Sequence, residues 1–447
     1  MSFLLASVLL AQAGLEGNWQ GVLDAGVARL TLVLKVAKTP AGALSATLDS
    51  IEQGARDLPI DSIAESAGAV TFEMKALYAS FSGTRTADSI RGRWKQGPGD
   101  LPLVFKRVDK PATISARPQE PKKPYPYDDE EVVFPSGGVK LAGTLTTPRG
   151  SGPFPAVALI SGSGPQDRDE ALLGHRPFLV LADHLTRKGI AVLRYDDRGI
   201  GKSTGSFAAA TTEDFAADAE AAVAFLRGRP RLDLKRIGLA GHSEGGVVAP
   251  MVAARSASVA FIVLLAGTGV PGHQVLHEQG AMLARAAGAT AEVIAANRSV
   301  QERMFAIVRG EADPKARREK LRAEARGEVN PGMEAQLEMA SSAWFRYFLL
   351  YDPATALGKV KCPVLAINGE RDLQVSPSQN LPAIARALED GGNNNYTIVK
   401  LPRLNHLFQT ATTGRVDEYG TIEETMAPLA LDTISEWILR VAAGVRR

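Results

Sequence analysis

The chain has 447 residues, of which 45% are hydrophobic and 22% are charged, and 51 Lys and Arg residues stand against 49 Asp and Glu residues. This composition is typical of a folded protein and excludes long low-complexity or collagen-like structure. The net charge of +2 lacks the basic excess that indicates nucleic-acid binding. At roughly 150 residues per domain, two or three folding units are expected.

Residues 1–13 have the pattern of a secretory signal peptide. A largely apolar run from Phe3 to Leu10 precedes Ala11-Gln12-Ala13, which fits a small-residue cleavage site. The run is too short to cross a bilayer, and no other window reaches 18 uninterrupted apolar residues, so we expect no integral membrane segment. We therefore expect a periplasmic or secreted protein. The leader lacks Lys and Arg, so the alternative is a hydrophobic first strand in a cytoplasmic protein.

Residues 14–108 have the alternation of an all-β domain. Apolar and polar side chains alternate from Leu30 to Val36, from Val70 to Met74 and from Ile90 to Trp94, and this period of two is typical of half-buried strands. Asp, Gly and Ser clusters separate the runs, so we predict a small antiparallel sandwich or barrel. The region contains no catalytic constellation. We therefore favour a packing domain over a substrate-binding or dimerising module.

Residues 109–127 are rich in proline. Five prolines stand here with interspersed charges, namely Pro111, Pro118, Pro121, Pro124 and Pro126. Because proline fixes φ and removes a backbone donor, the segment is predicted to be a semi-stiff, extended linker. It separates the β domain from a second domain over residues 128–447.

The second domain alternates between short apolar runs and helical patterns. The runs cover residues 156–160, 190–193, 237–240, 259–266, 364–367 and 397–401. Unbroken apolar strands alternating with helices predict an α/β fold, with a mostly parallel central sheet and helices on both faces. Residues 272–356 are rich in helical pattern and hold no convincing strand. We predict that they form an inserted helical cap.

A Gly-x-Ser-x-Gly pentapeptide, residues 241–245, follows one of these strands and precedes a helical pattern. In the order strand, turn, helix it predicts a nucleophile elbow, which presents the serine at the carboxyl edge of the sheet. Glycines two residues to either side let the neighbouring backbone pass closely. We therefore predict that Ser243 is a catalytic nucleophile rather than an ordinary turn serine.

A serine hydroxyl needs a base, and the base needs an orienting acid. Of the six histidines, only His406 follows a late strand and lies downstream of every plausible acid, as the chain order Ser, acid, His requires. The acid should follow the preceding core strand, where Glu370 and Asp372 stand. We prefer Asp372, because an acid two residues further along reaches further over the sheet edge, and Glu370 is its rival.

Attack on an ester or amide creates an oxyanion, which needs two preorganised donors. We predict that one is the backbone N–H of Glu244, the residue after the nucleophile. The second should come from the loop 161–165, after the strand 156–160, with Ser163 as the best candidate. A plain turn in that loop is the alternative. Such chemistry requires no cofactor and no metal.

Five motifs together resemble the α/β-hydrolases, namely Ser161–Arg168, Asp196–Ser203, Gly241–Gly246, Gly369–Asp372 and Asn405-His406. More narrowly they resemble bacterial EstD-type esterases, a group often labelled alongside serine aminopeptidases. The resemblance covers residues 128–447 and implies the α/β-hydrolase fold, a helical cap after the sixth strand, and a carboxylesterase with the triad Ser243, Asp372 and His406. The oxyanion loop departs from the pattern, since many relatives carry His-Gly where this chain has Ser161-Gly162.

Aromatic residues in the predicted cap provide candidate substrate contacts. Trp344, Phe348 and Tyr351 share a helical face by spacing. Trp344 and Phe348 are our candidates for lining an acyl pocket over Ser243. The alternative, which we weight slightly higher, is that these rings only anchor the cap to the sheet.

Three other features are interpreted as structural. Cys362, the single cysteine, stands inside an apolar run and is predicted to be a buried small hydrophobe. His273 and His277 are spaced to share a helix face, but no third ligand stands nearby, so we predict no zinc site. The run Gly201–Thr204 resembles the end of a phosphate-binding loop but lacks its first glycine.

The sequence therefore predicts a serine carboxylesterase that acts on a small-molecule ester through an acyl-enzyme. One alternative is a serine peptidase or aminopeptidase on the same triad, which would need a cap carboxylate for the substrate ammonium, and Glu278, Glu334 and Glu338 are available. The other alternative is an envelope-associated binding protein with a vestigial site. No pattern in the sequence indicates acyl-chain length, alcohol preference or oligomeric state.

Overall fold

The computed structural model describes residues 14–24, 29–97, 99–325 and 331–444. The signal peptide predicted over residues 1–13 lies outside the described residues. Contacts divide the chain into two compact units: the first comprises the residues up to Ser115 together with Asn330–Met333, and the second comprises the rest. The proline-rich segment 109–127 contains neither helix nor strand. Among the described residues, no helix combines the length and apolar character that crossing a membrane requires.

The described part of the first unit is an antiparallel sheet of nine strands, in the spatial order β4-β3-β2-β1-β9-β8-β7-β6-β5. The strands are β1 Gly17–Asp24, β2 Arg29–Lys38, β3 Leu44–Ser50, β4 Ala55–Pro59, β5 Ser62–Ser66, β6 Ala69–Met74, β7 Ala79–Arg85, β8 Ser89–Gln96 and β9 Gly99–Val108. A short 3₁₀ turn, Lys75–Leu77, joins β6 to β7. The predicted N-terminal β-rich region is thus confirmed.

Alternation along the strands places apolar side chains in the main core of this unit. In β6, Val70, Phe72 and Met74 are buried while the residues between them are exposed, as the period of two requires. The rings of Phe72 and Phe81 stack with centroids 5.2 Å apart across neighbouring strands. Aromatic side chains therefore form part of the apolar core on the buried face of this sheet.

The second unit is built on an eight-stranded sheet in the order β10-β11-β13-β12-β14-β15-β16-β17. Its strands are β10 Asp128–Ser136, β11 Val139–Thr147, β12 Phe154–Ile160, β13 Ala191–Tyr195, β14 Leu232–His242, β15 Ile262–Leu265, β16 Val364–Gly369 and β17 Tyr396–Leu401. Strands β10 and β11 pair antiparallel, and β11 pairs antiparallel with β13. All later pairs, from β13–β12 to β16–β17, are parallel.

Helices connect and cover these strands. They are α1 Pro177–Arg187, α2 Thr212–Arg227, α3 Gly245–Ala253, α4 Gly272–Ala286, α5 Ala291–Gly310, α6 Pro314–Glu324, α7 Pro331–Ser341, α8 Ala343–Leu350, α9 Ala354–Leu357, α10 Pro377–Asp390, α11 Val416–Tyr419 and α12 Pro428–Ala442. Helices α4 to α9 form an insertion between β15 and β16. Helix α2 begins at a capping box, in which Thr211 and Asp214 satisfy each other's backbone N–H groups.

Two cores lie on opposite faces of this sheet. Alternate residues of β12 enter different cores: Ala156 and Ala158 pack with side chains of α2, α3 and α10, whereas Val157 and Leu159 pack with those of α1 and α12. Both faces are therefore apolar and covered, which explains the unbroken apolar strands. The α/β class predicted for this region is confirmed. Since the central strands run parallel, their carboxyl ends share one edge, where the loops that follow β12, β14, β16 and β17 lie.

Candidate active site

Ser243 occupies a tight turn between β14 and α3. Its φ is +52°, a left-handed conformation that costs energy for a residue with a side chain. Its N–H donates to the carbonyl of Leu265 at 2.8 Å, which ties the turn to the neighbouring strand. A Cβ on Gly241 would lie 1.9 Å from the carbonyl oxygen of Gly245. The pentapeptide therefore needs its glycines because the strand and the helix pass too closely for any side chain.

Asp372 and His406 meet at the same edge of the sheet. His406 Nδ1 lies 2.7 Å from Asp372 Oδ2, and the two residues are only 5% and 1% exposed. Asp372 Oδ1 accepts the backbone N–H groups of Gln374 and Val375, each at 2.8 Å. These donors fix the carboxylate, so its second oxygen accepts the Nδ1 proton of His406. That tautomer leaves a lone pair on Nε2, the form that a general base requires.

Glu370, the rival acid, is placed differently. It is exposed, and its Oε2 accepts the backbone N–H of Arg403 at 3.0 Å. Its carboxylate thus holds the loop after β17 rather than the imidazole. Of the two acids that follow β16, the structure pairs Asp372 with His406.

The loop 161–165 after β12 runs beside the Ser243 turn. A Cβ on Gly162 would lie 3.3 Å from Cβ of Ser243, so the backbone of this loop approaches the serine closely. The N–H of Gly162 is occupied, because it donates to Glu170 Oε1 at 2.7 Å. The N–H of Ser163, an exposed residue, has no internal acceptor among the described residues. The N–H of Glu244 likewise has none within that part of the chain.

The side chain of Glu244 lies in a polar contact between the Ser243 turn and the helical insertion. It is 5% exposed, and its Oε1 accepts Thr212 Oγ1 at 2.7 Å and the indole N–H of Trp344 at 2.8 Å. Burial raises the pKa of Glu244, against the opposing effect of these two hydrogen bonds. A buried carboxyl group with a raised pKa therefore stands directly after the predicted nucleophile.

The aromatic residues proposed from the sequence as substrate contacts lie next to this contact. The rings of Trp344 and Phe348 stack at 5.7 Å with 10° between their planes. Phe348 and Tyr351 line a narrow cleft together with Glu244 and Thr268. Through Trp344 the insertion is bonded to the segment that carries Ser243.

A second narrow cleft lies on the other side of Glu244. Its wall includes Ser161, Asp197 and Phe215. Burial raises the pKa of Asp197 to about 7. Hydrogen bonds from Ser161 Oγ and the Gln166 backbone N–H lower this pKa, whereas the negative charges of nearby Glu170 and Glu244 raise it further. This cleft therefore changes its charge near neutral pH.

His242 and Glu170 are site residues that the sequence reasoning missed. His242 Nδ1 lies 2.8 Å from Glu170 Oε1, and both side chains are buried. His242 Nε2 lies 3.0 Å from the backbone carbonyl oxygen of His406. The position of His242 directly before Ser243 was the only available signal, and nothing in the sequence indicates Glu170 as its partner.

Two features interpreted as structural have ordinary environments. Burial raises the pKa of Cys362 to about 12, so its thiol is a poor nucleophile. His273 Nδ1 faces the carbonyl of Leu349 at 3.3 Å, and His277 Nδ1 faces Gln301 Oε1 at 3.2 Å. No group of three His, Cys, Asp or Glu side chains suited to a metal ion occurs among the described residues.

Comparison with known proteins supplies the family. Residues 137–399 match the model of the X-Pro dipeptidyl-peptidases (S15 family), which is more than half of the 447 residues. The chain therefore belongs to this family of hydrolases. Esterase EstD of Thermotoga maritima is 30% identical over 305 residues, or 67% of this chain and 66% of that protein. The match thus spans slightly less than two thirds of the length of this curated relative. Together these matches confirm the predicted resemblance to EstD-like α/β-hydrolases.

Solved structures with similar chains include two esterases. Esterase Pf2001 of Pyrococcus furiosus is 18% identical, with a TM-score of 0.43, over 74% of this chain and 97% of that one. Est1E of Butyrivibrio proteoclasticus, solved with ferulic acid bound, is 17% identical, with a TM-score of 0.42, over 70% of this chain and 99% of that one.

Proposed function

We propose that the protein is a serine carboxylesterase with Ser243 as nucleophile, His406 as general base and Asp372 as the acid that orients the base. The observation that carries the proposal is the buried 2.7 Å hydrogen bond between His406 and Asp372, at the sheet edge where the Ser243 turn also lies. A histidine whose Nδ1 is held by a fixed carboxyl group, at the sheet edge that also carries a serine on a strained turn, is the arrangement from which a hydroxyl is activated.

In the proposed reaction Ser243 Oγ attacks the acyl carbonyl carbon while His406 Nε2 takes the hydroxyl proton. The N–H groups of Glu244 and Ser163 stabilise the oxyanion, and both have no competing acceptor among the described residues. His406 then protonates the leaving alcohol, and an acyl-enzyme remains. Water, deprotonated by His406, releases the carboxylic acid and restores Ser243. No step needs a cofactor or a metal.

We also infer that helices α4 to α9 act as a cap over this site. The hydrogen bond from Trp344 to Glu244 joins the insertion to the Ser243 turn. We propose that Trp344 and Phe348 line the acyl pocket, and the same hydrogen bond from Trp344 supports the alternative that these rings anchor the cap. Because the cleft beside Phe348 is narrow, we expect short acyl groups to be accepted better than long ones.

Peptide hydrolysis is the second candidate because the family model that matches is described as X-Pro dipeptidyl-peptidase. A cap carboxylate available for a substrate ammonium would favour it. Glu334 is instead held by Arg318 and Arg322, and Glu338 lies exposed at 4.0 Å from Arg318. Glu278 lines a different, polar cavity together with His273 and His277 of the insertion and Gln379 of α10. The ester reading is therefore preferred, and EstD, a relative named as an esterase, supports it.

The test compares turnover of p-nitrophenyl esters of graded acyl length with that of Gly-Pro and aminoacyl p-nitroanilides. We expect kcat/KM to be highest for short-chain esters, and a preference for the anilides would favour the peptidase. Ser243→Ala should lower ester turnover by at least about 10⁴-fold and abolish labelling by a fluorophosphonate. An unlabelled but folded wild-type protein would support the non-catalytic binding protein instead.

Ser163→Ala is the matched control. It removes a hydroxyl but keeps the backbone N–H to which the proposal assigns a role, so its turnover should stay near that of the wild type. A loss as large as that of Ser243→Ala would contradict the assignment.

We further propose export to the periplasm or the medium, on the basis of the leader pattern in residues 1–13. Mass spectrometry of the protein isolated from cell fractions tests this. A mature chain that begins at Gly14 outside the cytoplasm is expected, and an intact leader on a cytoplasmic protein would refute it.

A further inference from the structure

The proposed chemistry does not use the buried pair formed by His242 and Glu170. His242 is 6% and Glu170 4% exposed. Each ring nitrogen of His242 has one partner: Glu170 Oε1 lies 2.8 Å from Nδ1, and the backbone oxygen of His406 lies 3.0 Å from Nε2. A buried ionisable pair in contact with a catalytic loop invites a functional explanation.

The two partners decide the protonation of the ring. A backbone carbonyl oxygen can only accept, so Nε2 of His242 must carry a proton. Glu170 Oε1 accepts the N–H of Gly162 at 2.7 Å and has a further lone pair for a second donor, so we assign the proton between it and Nδ1 to the ring. With both nitrogens donating, the ring is an imidazolium.

The electrostatic surroundings agree with this assignment. Burial alone would lower the pKa of His242, but the charge and hydrogen bond of Glu170, the His406 carbonyl and the Asp372 charge together raise it. The neighbouring rings are His406, with centroids 4.8 Å apart, and Phe408, at 6.3 Å. Glu170, His406 and Asp372 are thus the titratable groups that face the imidazolium from the surrounding segments.

The pair joins three segments that must keep a fixed geometry during catalysis. Glu170 holds the loop of Ser163 through the N–H of Gly162, His242 stands directly before Ser243 in the chain, and its Nε2–H holds the backbone of His406. We propose that His242, as an imidazolium paired with Glu170, is a positioning residue that fixes the oxyanion loop and the His406 loop against the Ser243 turn. This inference rests on the proposed esterase function.

Substitutions should therefore affect turnover more than substrate binding. In His242→Gln the side-chain amide can donate in only one of the two directions, and in Glu170→Gln the ring loses its counter-charge. Loss of one charge-assisted hydrogen bond corresponds to a fall in kcat of about 10- to 100-fold, with KM nearly unchanged. His184→Gln is the matched control, because His184 bonds to Ser435 Oγ at 3.1 Å between α1 and α12 and should leave kcat unchanged.

Ring ¹⁵N spectra of histidine-labelled protein report the protonation of both ring nitrogens of His242. A purely structural role for His242 does not require the doubly protonated ring that the proposal predicts. At pH 7 the wild-type protein should show two protonated nitrogens for His242, and Glu170→Gln should lose this signature. His175, whose pKa burial and the Arg117 charge lower to about 4, gives the internal reference for a neutral ring. The His242 signals are assigned by their loss in His242→Gln.

A neutral His242 in the wild-type protein at pH 7 overturns the inference, even if a variant fails to fold. Folded variants whose kcat equals that of the wild type also overturn it. A wild-type protein that hydrolyses no ester refutes the proposed function and, with it, the positioning role. If its His242 is nevertheless doubly protonated, the assigned charge of the ring is still correct. The failure of each step is thus distinguishable.

Discussion

Replacing Asp372 with Asn tests whether the acid sets the tautomer of His406. Two backbone N–H groups reach Asp372 Oδ1 at 2.8 Å each, so in the variant they select the amide oxygen. The amide NH₂ group is then directed at His406 Nδ1, where the carboxylate accepted a proton at 2.7 Å. The ring must present a lone pair at Nδ1 and carry its proton on Nε2, where it cannot accept the proton of Ser243.

The magnitude follows from the loss of the base in its active tautomer. Substitution of this acid by its amide in Ser-His-Asp enzymes lowers kcat by about 10⁴-fold, equivalent to about 5.4 kcal/mol in activation free energy. We expect Asp372→Asn to show a loss of this order in the kcat of p-nitrophenyl acetate hydrolysis, with KM little changed. Its thermal unfolding midpoint should stay close to that of the wild type, because the two backbone hydrogen bonds are kept.

Glu370→Gln provides the matched control, since it makes the same chemical change two residues away. Glu370 is exposed and accepts the N–H of Arg403, so an amide oxygen can replace it. We expect kcat near the wild-type value. A folded Asp372→Asn protein that retains more than a tenth of the wild-type kcat, or a larger loss in Glu370→Gln, would refute the assignment of the acid.

Three further predictions concern pH, packing and the thiol. Because the pKa of Asp197 is raised to about 7, the folded protein keeps a proton there that the unfolded chain loses above its ordinary value of 3.8. The wild-type free energy of unfolding should therefore fall, relative to that of Asp197→Asn, as pH rises from 5 to 8. Urea titrations at both pH values measure this, and parallel changes would contradict it. Gly245→Ala would place a Cβ 2.2 Å from the Ile160 carbonyl oxygen and should cost about 1–3 kcal/mol or more of unfolding free energy. In Gly310→Ala the new Cβ meets nothing within 4 Å, so this variant should lose no unfolding free energy. Equal unfolding midpoints for the two variants would contradict the argument that the close approach at Gly245 excludes a side chain. Cys362 is only partly buried, but its pKa is raised to about 12, so a thiol reagent at pH 8 should label it more slowly in the native than in the unfolded protein, and equal rates would contradict this.

The sequence predicted those parts of the site that depend on local pattern. The Gly-x-Ser-x-Gly pentapeptide specifies its own turn, because the close approach of Gly241 and Gly245 excludes side chains whatever surrounds it. Asp372 and His406 each follow a strand, and parallel strands bring their carboxyl ends to one edge. Chain order and strand position therefore predicted a pairing of Asp372 with His406, and the structure joins their side chains by a 2.7 Å hydrogen bond.

Contacts between segments that are distant along the chain could not be predicted from the sequence. Glu170 and His242 are 72 residues apart, and Trp344 is 100 residues from the Glu244 carboxyl that accepts its indole proton. No periodicity links such positions, since loops and the helical insertion decide which side chains meet. The pKa values of Asp197 and Glu244 could not be predicted from the sequence either, because both are raised by burial among residues of several elements.

The order of residues thus determined the strands, the serine turn and the positions of Asp372 and His406 at strand ends, because each depends on backbone geometry within a few positions. The tertiary structure decided the buried contact of His242 with Glu170, the raised pKa of Glu244 after Ser243 and the hydrogen bond between the insertion and the turn. Desolvation and hydrogen bonding act over a few ångströms in space, whereas the residues that supply them here lie tens to hundreds of positions apart along the chain.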